Sequence, residues 1–71
     1  MKALLVENIH ADGVRRLREA GVDVETRSKA LSEDELIDAL DGVDLLGVRS
    51  TTFVTPRVLD AAPQLKAIGA F

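Results

Sequence analysis

Four short apolar runs, at residues 2–6, 22–26, 45–48 and 65–71, alternate with stretches whose apolar residues recur at helical spacing. Few folds are open to a chain that alternates in this way. Strands joined through helices run parallel, and the crossovers between them are right-handed. The expected pattern is therefore β-α-β-α-β-α-β, an α/β fold with four strands and three helices.

The character of each run fixes its place in the sheet. Residues 2–6 (Lys-Ala-Leu-Leu-Val) and 45–48 (Leu-Leu-Gly-Val) do not alternate, as befits strands buried on both faces. Residues 22–26 (Val-Asp-Val-Glu-Thr) alternate apolar with polar and read as a half-exposed edge strand. The expected order is thus 2-1-3-4, that of a flavodoxin-like sheet, in which the chain switches direction between strands 1 and 3.

The helix signals agree with this layout. The first helix starts near Ala11, with Val14, Leu17 and Ala20 on one stripe, and Gly21 stands where a left-handed cap is wanted. The stretch Leu31-Ser32-Glu33-Asp34-Glu35-Leu36 spells a capping box between Ser32 and Glu35, with Leu31 and Leu36 as a staple. Its acidic residues suit a helix N-terminus and need no metal to explain them. Leu36, Ile37 and Leu40 form the buried stripe, and Asp41-Gly42 closes the helix. In the third helix Thr55 caps, Pro56 occupies the first turn, Val54 is placed to staple Leu59, and Val58, Leu59 and Ala62 face inward.

In an open parallel sheet, ligands bind beyond the carboxyl ends of the strands at the switch point. The two loops meeting there are residues 7–10 (Glu-Asn-Ile-His) and 49–52 (Arg-Ser-Thr-Thr). Arg49 brings five N–H donors in a fixed fork and Ser50, Thr51 and Thr52 bring hydroxyls, a set suited to a carboxylate or phosphate. Asn8 is able to orient a ligand or to close a turn. His10 has no Asp or Ser spaced for a triad and reads as a surface loop residue.

Composition removes several function classes. The 71 residues have a net charge of −3, two Phe, no Trp and no Tyr, so neither a basic stripe nor an aromatic platform for nucleic acid exists. Without cysteine there are no disulfides or thiolate metal sites, and a cytoplasmic setting is expected. No apolar run approaches the roughly 18 residues of a membrane span, and the start at Met1 leads straight into a strand, without a signal-peptide pattern. A receiver domain of the same architecture would want an acidic pair after strand 1 and an aspartate ending strand 3. Glu7-Asn8 and Arg49 stand there instead.

Residues 4–10 (Leu-Leu-Val-Glu-Asn-Ile-His), 30–36, 46–52 (Leu-Gly-Val-Arg-Ser-Thr-Thr) and 61–71 together resemble the D-isomer-specific 2-hydroxyacid dehydrogenases, in their phosphoglycerate dehydrogenase branch. The resemblance runs the length of the chain, and Gly-Val-Arg-Ser-x-Thr is its most specific part. It implies that residues 1–71 are the first, truncated portion of a flavodoxin-like substrate-binding domain, with the nucleotide-binding domain absent. It also implies a role in serine biosynthesis for the complete enzyme, with NAD as its cofactor. By resemblance Arg49 and Ser50 bind a small anionic 2-hydroxy acid, with Thr52 a structural or secondary contact; Asn8 joins the substrate-binding candidates through its place in the switch-point loop alone. Some members carry a second arginine where this chain has Thr51, which leaves the exact substrate open. The family's catalytic Arg, Glu and His lie past Phe71, so no catalytic, cofactor-binding or metal-binding residue is expected in this chain. No Gly-x-Gly-x-x-Gly occurs either.

The 71-residue chain alone is accordingly expected to be inactive. A domain this small buries only about 60% of its unfolded surface. Strands 3 and 4 are expected to bare apolar residues, drawn from Leu45, Leu46, Val48, Ala67, Ile68 and Phe71, on the face that helix 1 leaves open. A homo-oligomer formed through that sheet face or the strand 4 edge is the corresponding expectation. The alternative to an enzyme segment is an autonomous flavodoxin-like half-domain whose main property is folding and self-association.

Overall fold

The computed structural model describes residues 1–9 and 11–70. The elements run β1 (Lys2–Leu5), α1 (Ala11–Glu19), β2 (Asp23–Thr26), α2 (Glu33–Ala39), β3 (Leu45–Val48), α3 (Pro56–Ala61) and β4 (Ala67–Ala70). All three strand pairings are parallel, and the order is β2-β1-β3-β4, as the sequence implies. No helix among the described residues is long and apolar enough to cross a membrane.

The strand period of two divides the core into two layers. Leu4 and Val6 of the first strand segment, with Leu46 and Val48 of β3, pack under α2 and α3 against Leu36, Leu40, Val43, Val58 and Ala62. Ala3 and Leu5 point the other way and meet Ile9, Val24 and the α1 residues Val14 and Leu17. Register ties the layers together, since Ala3 pairs with both Val24 and Leu45 and Leu4 pairs with Leu46. In β2 only Val24 is buried, which confirms its place at the edge.

The caps form as their chemistry requires. Ser32 Oγ accepts from the Glu35 amide at 3.3 Å, and the Glu35 carboxylate accepts from the Ser32 amide at 3.0 Å. Thr55 Oγ1 accepts from the Val58 amide, with Pro56 in the first turn of α3. Gly21 and Gly42 have φ of 85° and 74°, the left-handed geometry that closes α1 and α2 without steric cost.

Two packing expectations need correction. Leu59 is not inward but 47% exposed. Val58 of the six-residue α3 and its C-cap Ala62 already make the contacts with the core, and Leu59, one residue on from Val58, is carried about 100° round the helix. Leu46 and Val48 do not lie on the face that α1 leaves open. Their alternation with Leu45 and Gly47 turns them into the α2/α3 core. The open side of the sheet is made by Leu45, Gly47, Ala67 and Gly69, with Ala3, Leu5 and Leu17, around an apolar hollow of about 220 Å³ whose lining Leu46 and the expected Ile68 also reach. Every residue of β4 is exposed. Phe71 lies outside the described residues.

Candidate functional site

The site is built where β1 and β3 lie side by side and their crossovers part. Val6 continues β1, and its amide donates to the Gly47 carbonyl at 3.0 Å. The chain then makes a sharp turn in which Glu7 and Asn8 both take positive φ, 67° and 55°. Consecutive left-handed residues without glycine are uncommon, and asparagine tolerates the geometry better than glutamate does. The turn is held on its β2 side, because the Glu7 and Asn8 amides donate to the carbonyls of Lys29 and Arg27.

This turn aims the Glu7 side chain across at the loop following β3. Glu7 Oε2 accepts from the Arg49 amide at 2.7 Å and from the Thr52 amide at 3.1 Å. Glu7 Oε1 accepts from the Thr51 amide at 2.9 Å and from the Thr51 hydroxyl. Desolvation works against the charged carboxylate. Hydrogen bonds from the Thr51 hydroxyl and amide, the Arg49 amide and Thr52 outweigh it, and hold the Glu7 pKa at about 2, against an ordinary 4.5. A single carboxylate thus ties together the two loops that the topology brings to the switch point.

The expected ligand groups occupy distinct positions around this tie. Arg49 and Ser50 are exposed, and among the described residues no hydrogen bond or ion pair engages the Arg49 guanidinium or the Ser50 hydroxyl. Thr52 is only 5% exposed, and its hydroxyl finds no partner among the described residues. Asn8 is exposed on the other flank, where it borders a hollow between α1 and the end of β2 that also includes Arg15, Arg18 and Arg27. Arg49, Ser50 and Thr52 therefore share one loop, while Asn8 faces a neighbouring hollow. His10 lies outside the described residues.

The acidic start of α2 is structural, as its capping logic implies. Glu33 accepts from Thr55 Oγ1 and from Arg57 Nη1, both at 2.5 Å, while Arg57 Nη2 bridges to Asp34 at 2.7 Å. The Thr55 hydroxyl and Arg57 hold the Glu33 carboxyl below the ordinary carboxylate range. These contacts join the N-termini of α2 and α3. No cluster of three or more His, Cys, Asp or Glu side chains among the described residues is placed to hold a metal ion.

The sequence profile of the catalytic domain of the D-isomer specific 2-hydroxyacid dehydrogenases matches residues 3–71. The chain belongs to this family. It is 44% identical over 71 residues to the D-3-phosphoglycerate dehydrogenase of Dictyostelium discoideum, and 38% identical over 72 to that of Escherichia coli K12. The whole chain is covered in both cases, but only 17% and 18% of those proteins. The chain thus spans less than a fifth of the length of these relatives. The crystal structure of the TT0316 protein from Thermus thermophilus matches with a TM-score of 0.86 at 30% identity, over 99% of this chain and 23% of that one.

Membership of a dehydrogenase family raises the question of a dinucleotide, and this chain's own loops do not fit one. The βα connections at residues 6–9, 27–32 and 49–55 contain no glycine, so their backbones lack the close approach that a pyrophosphate needs. No step involving the nucleotide is therefore assigned to these residues.

Glu7 is the residue that sequence reasoning missed. Its place in the switch-point loop was legible, but its partners lie more than 40 positions away, and nothing local marks a glutamate that bonds to backbone amides.

Proposed function

We propose that this chain supplies the acid-binding side of an NAD-dependent 2-hydroxyacid dehydrogenase of the phosphoglycerate branch, which serves serine biosynthesis in the cytoplasm. The observation that carries this reading is the exposed Arg49, whose guanidinium has no hydrogen bond or ion pair among the described residues, followed in the chain by the exposed Ser50 on a loop that Glu7 braces at the switch point. A planar fork of donors pairs with a carboxylate in two parallel hydrogen bonds, and a neighbouring hydroxyl adds a third. The ligand class is a small anionic 2-hydroxy acid. Thr52 forms the floor of the loop, and Asn8 is a secondary contact at its flank. Hydride transfer also needs a nicotinamide and an acid–base group, and both are assigned to protein outside these 71 residues. The isolated chain is thus inactive.

The test is a chimera in which this chain replaces the matching segment of the Escherichia coli phosphoglycerate dehydrogenase. The expected result is NAD reduction with D-3-phosphoglycerate, and a KM raised about tenfold to a hundredfold by Arg49→Ala, the loss of one charge-assisted contact. An active chimera whose KM is indifferent to Arg49→Ala would overturn the assignment. So would turnover above background by the 71-residue chain alone.

A second reading, self-association, draws on the β4 edge and the hollow around Leu45 and Ala67. An edge strand presents a row of unpaired amides and carbonyls, which favours pairing with a second copy of the same strand. Sedimentation tests it, and the expected outcome is a mass that rises with concentration.

A further inference from the structure

The backbone amides of Arg49, Thr51 and Thr52 converge on one carboxylate, together with the Thr51 hydroxyl. Convergent amides of this kind form an anion-binding concavity. In this chain the concavity already holds an anion, and that anion is the chain's own. The geometry points to a carboxylate-binding nest at residues 49–52 that is filled in cis by Glu7, making Glu7 the positioning residue for Arg49 and Ser50.

Three features support the nest, the first of them independent of the pairing. The turn that delivers Glu7 holds two non-glycine residues at positive φ, a strained arrangement that a solvent-facing glutamate would not require. Both carboxylate oxygens are used, each by two donors, so the fit is that of a bound carboxylate and not of a single chance contact. Finally, Arg49 contributes its amide to the nest while its guanidinium has no partner among the described residues, so the same residue is anchored at one end and exposed at the other.

The nest also bears on specificity, and this part rests on the substrate-binding reading above. With the amides occupied by Glu7, an incoming acid is read by the Arg49 and Ser50 side chains, not by the backbone. An acid able to displace Glu7 would have to match four hydrogen bonds held in a preformed cradle.

The test uses the 71-residue chain, isotopically labelled, with sodium formate as the probe. In Glu7→Ala the hydrogen-exchange protection of the Arg49, Thr51 and Thr52 amides should fall about tenfold, the scale set by losing one such hydrogen bond. Formate should restore it saturably, and chloride at equal ionic strength should not. Unchanged protection, or a variant that ignores formate, would overturn the proposal. Should Glu7→Ala unfold, the wild-type chain still decides the matter. Scalar couplings across the hydrogen bonds from those three amides to the Glu7 carboxyl carbon are expected, and their absence refutes the nest. The chimera assay is separate. An active, Arg49-dependent chimera without those couplings would refute only the nest, and couplings in an inactive chimera would refute only the substrate-domain reading.

Discussion

Replacing Leu46 by Ala probes the strand that carries the candidate site. Leu46 is 2% exposed, pairs in register with Leu4 and Ile68, and lies in the core beneath α2 and α3. Truncation removes buried methyl groups and leaves a cavity that the sheet can close only in part, at a cost of about 2–5 kcal/mol. For a chain of 71 residues, at about 0.05–0.15 kcal/mol per residue, total stability is about 4–11 kcal/mol, so this one change removes a large share of it. The assay is urea unfolding followed by circular dichroism. With a slope of about 1 kcal/mol per molar, the midpoint should fall by about 2 M or more, with the slope unchanged. Leu59→Ala is the internal control. The chemistry is identical, but Leu59 is 47% exposed on α3, and its loss should cost less than about 0.5 kcal/mol. Equal effects of the two substitutions, or a loss below about 1 kcal/mol for Leu46→Ala, would refute the two-layer packing from which the position of the Arg49 loop follows.

Three other outcomes follow from the same geometry. Ser32→Ala removes one half of the α2 capping box and should destabilise the chain by about 1 kcal/mol, read as a lower urea midpoint. Because the folded pKa of Glu7 is depressed to about 2 from 4.5, its stabilisation is present above pH 4.5 and lost as pH falls through 2. Acid titration of Glu7→Gln should lack that component, and a wild-type acid limb that Glu7→Gln reproduces would contradict it. Sedimentation of the wild-type chain should show mass increasing with concentration, with Ala67→Glu, on the open face of β4, shifting it towards the monomer. A wild-type monomer at every concentration would count against pairing of copies.

The parts of the fold that depend on local chemistry were legible in the sequence. Ser32-Glu35, Thr55-Pro56 and Gly42 announce their helix ends because each cap is made within a few residues. The sheet order was legible too, because the alternation of residues 22–26 marks an edge, and the parallel crossovers leave few alternatives. Less was legible where two elements must meet. In the short α3, Val58, Leu59 and Ala62 were all expected inward, and only the tertiary packing leaves Leu59 out. The sidedness of Leu46 and Val48 hung on strand parity relative to β1, which no local pattern in a continuously apolar run reveals. At the candidate site Arg49 and Ser50 could be chosen by residue type and topology. The role of Glu7 could not, since it arises from a left-handed turn and from amides that only the tertiary fold brings within reach.

The central claim is that the loop after β3 presents Arg49 and Ser50 to a small acid while Glu7 holds its backbone. The most direct measurement is a titration of the labelled chain with D-3-phosphoglycerate, followed at the Arg49 guanidinium and the Ser50 amide. The account predicts saturable shifts at those two residues, with the Arg49, Thr51 and Thr52 amides still bonded to Glu7. Shifts confined to Arg15, Arg18 and Arg27 around the neighbouring hollow, or none at Arg49, would contradict it.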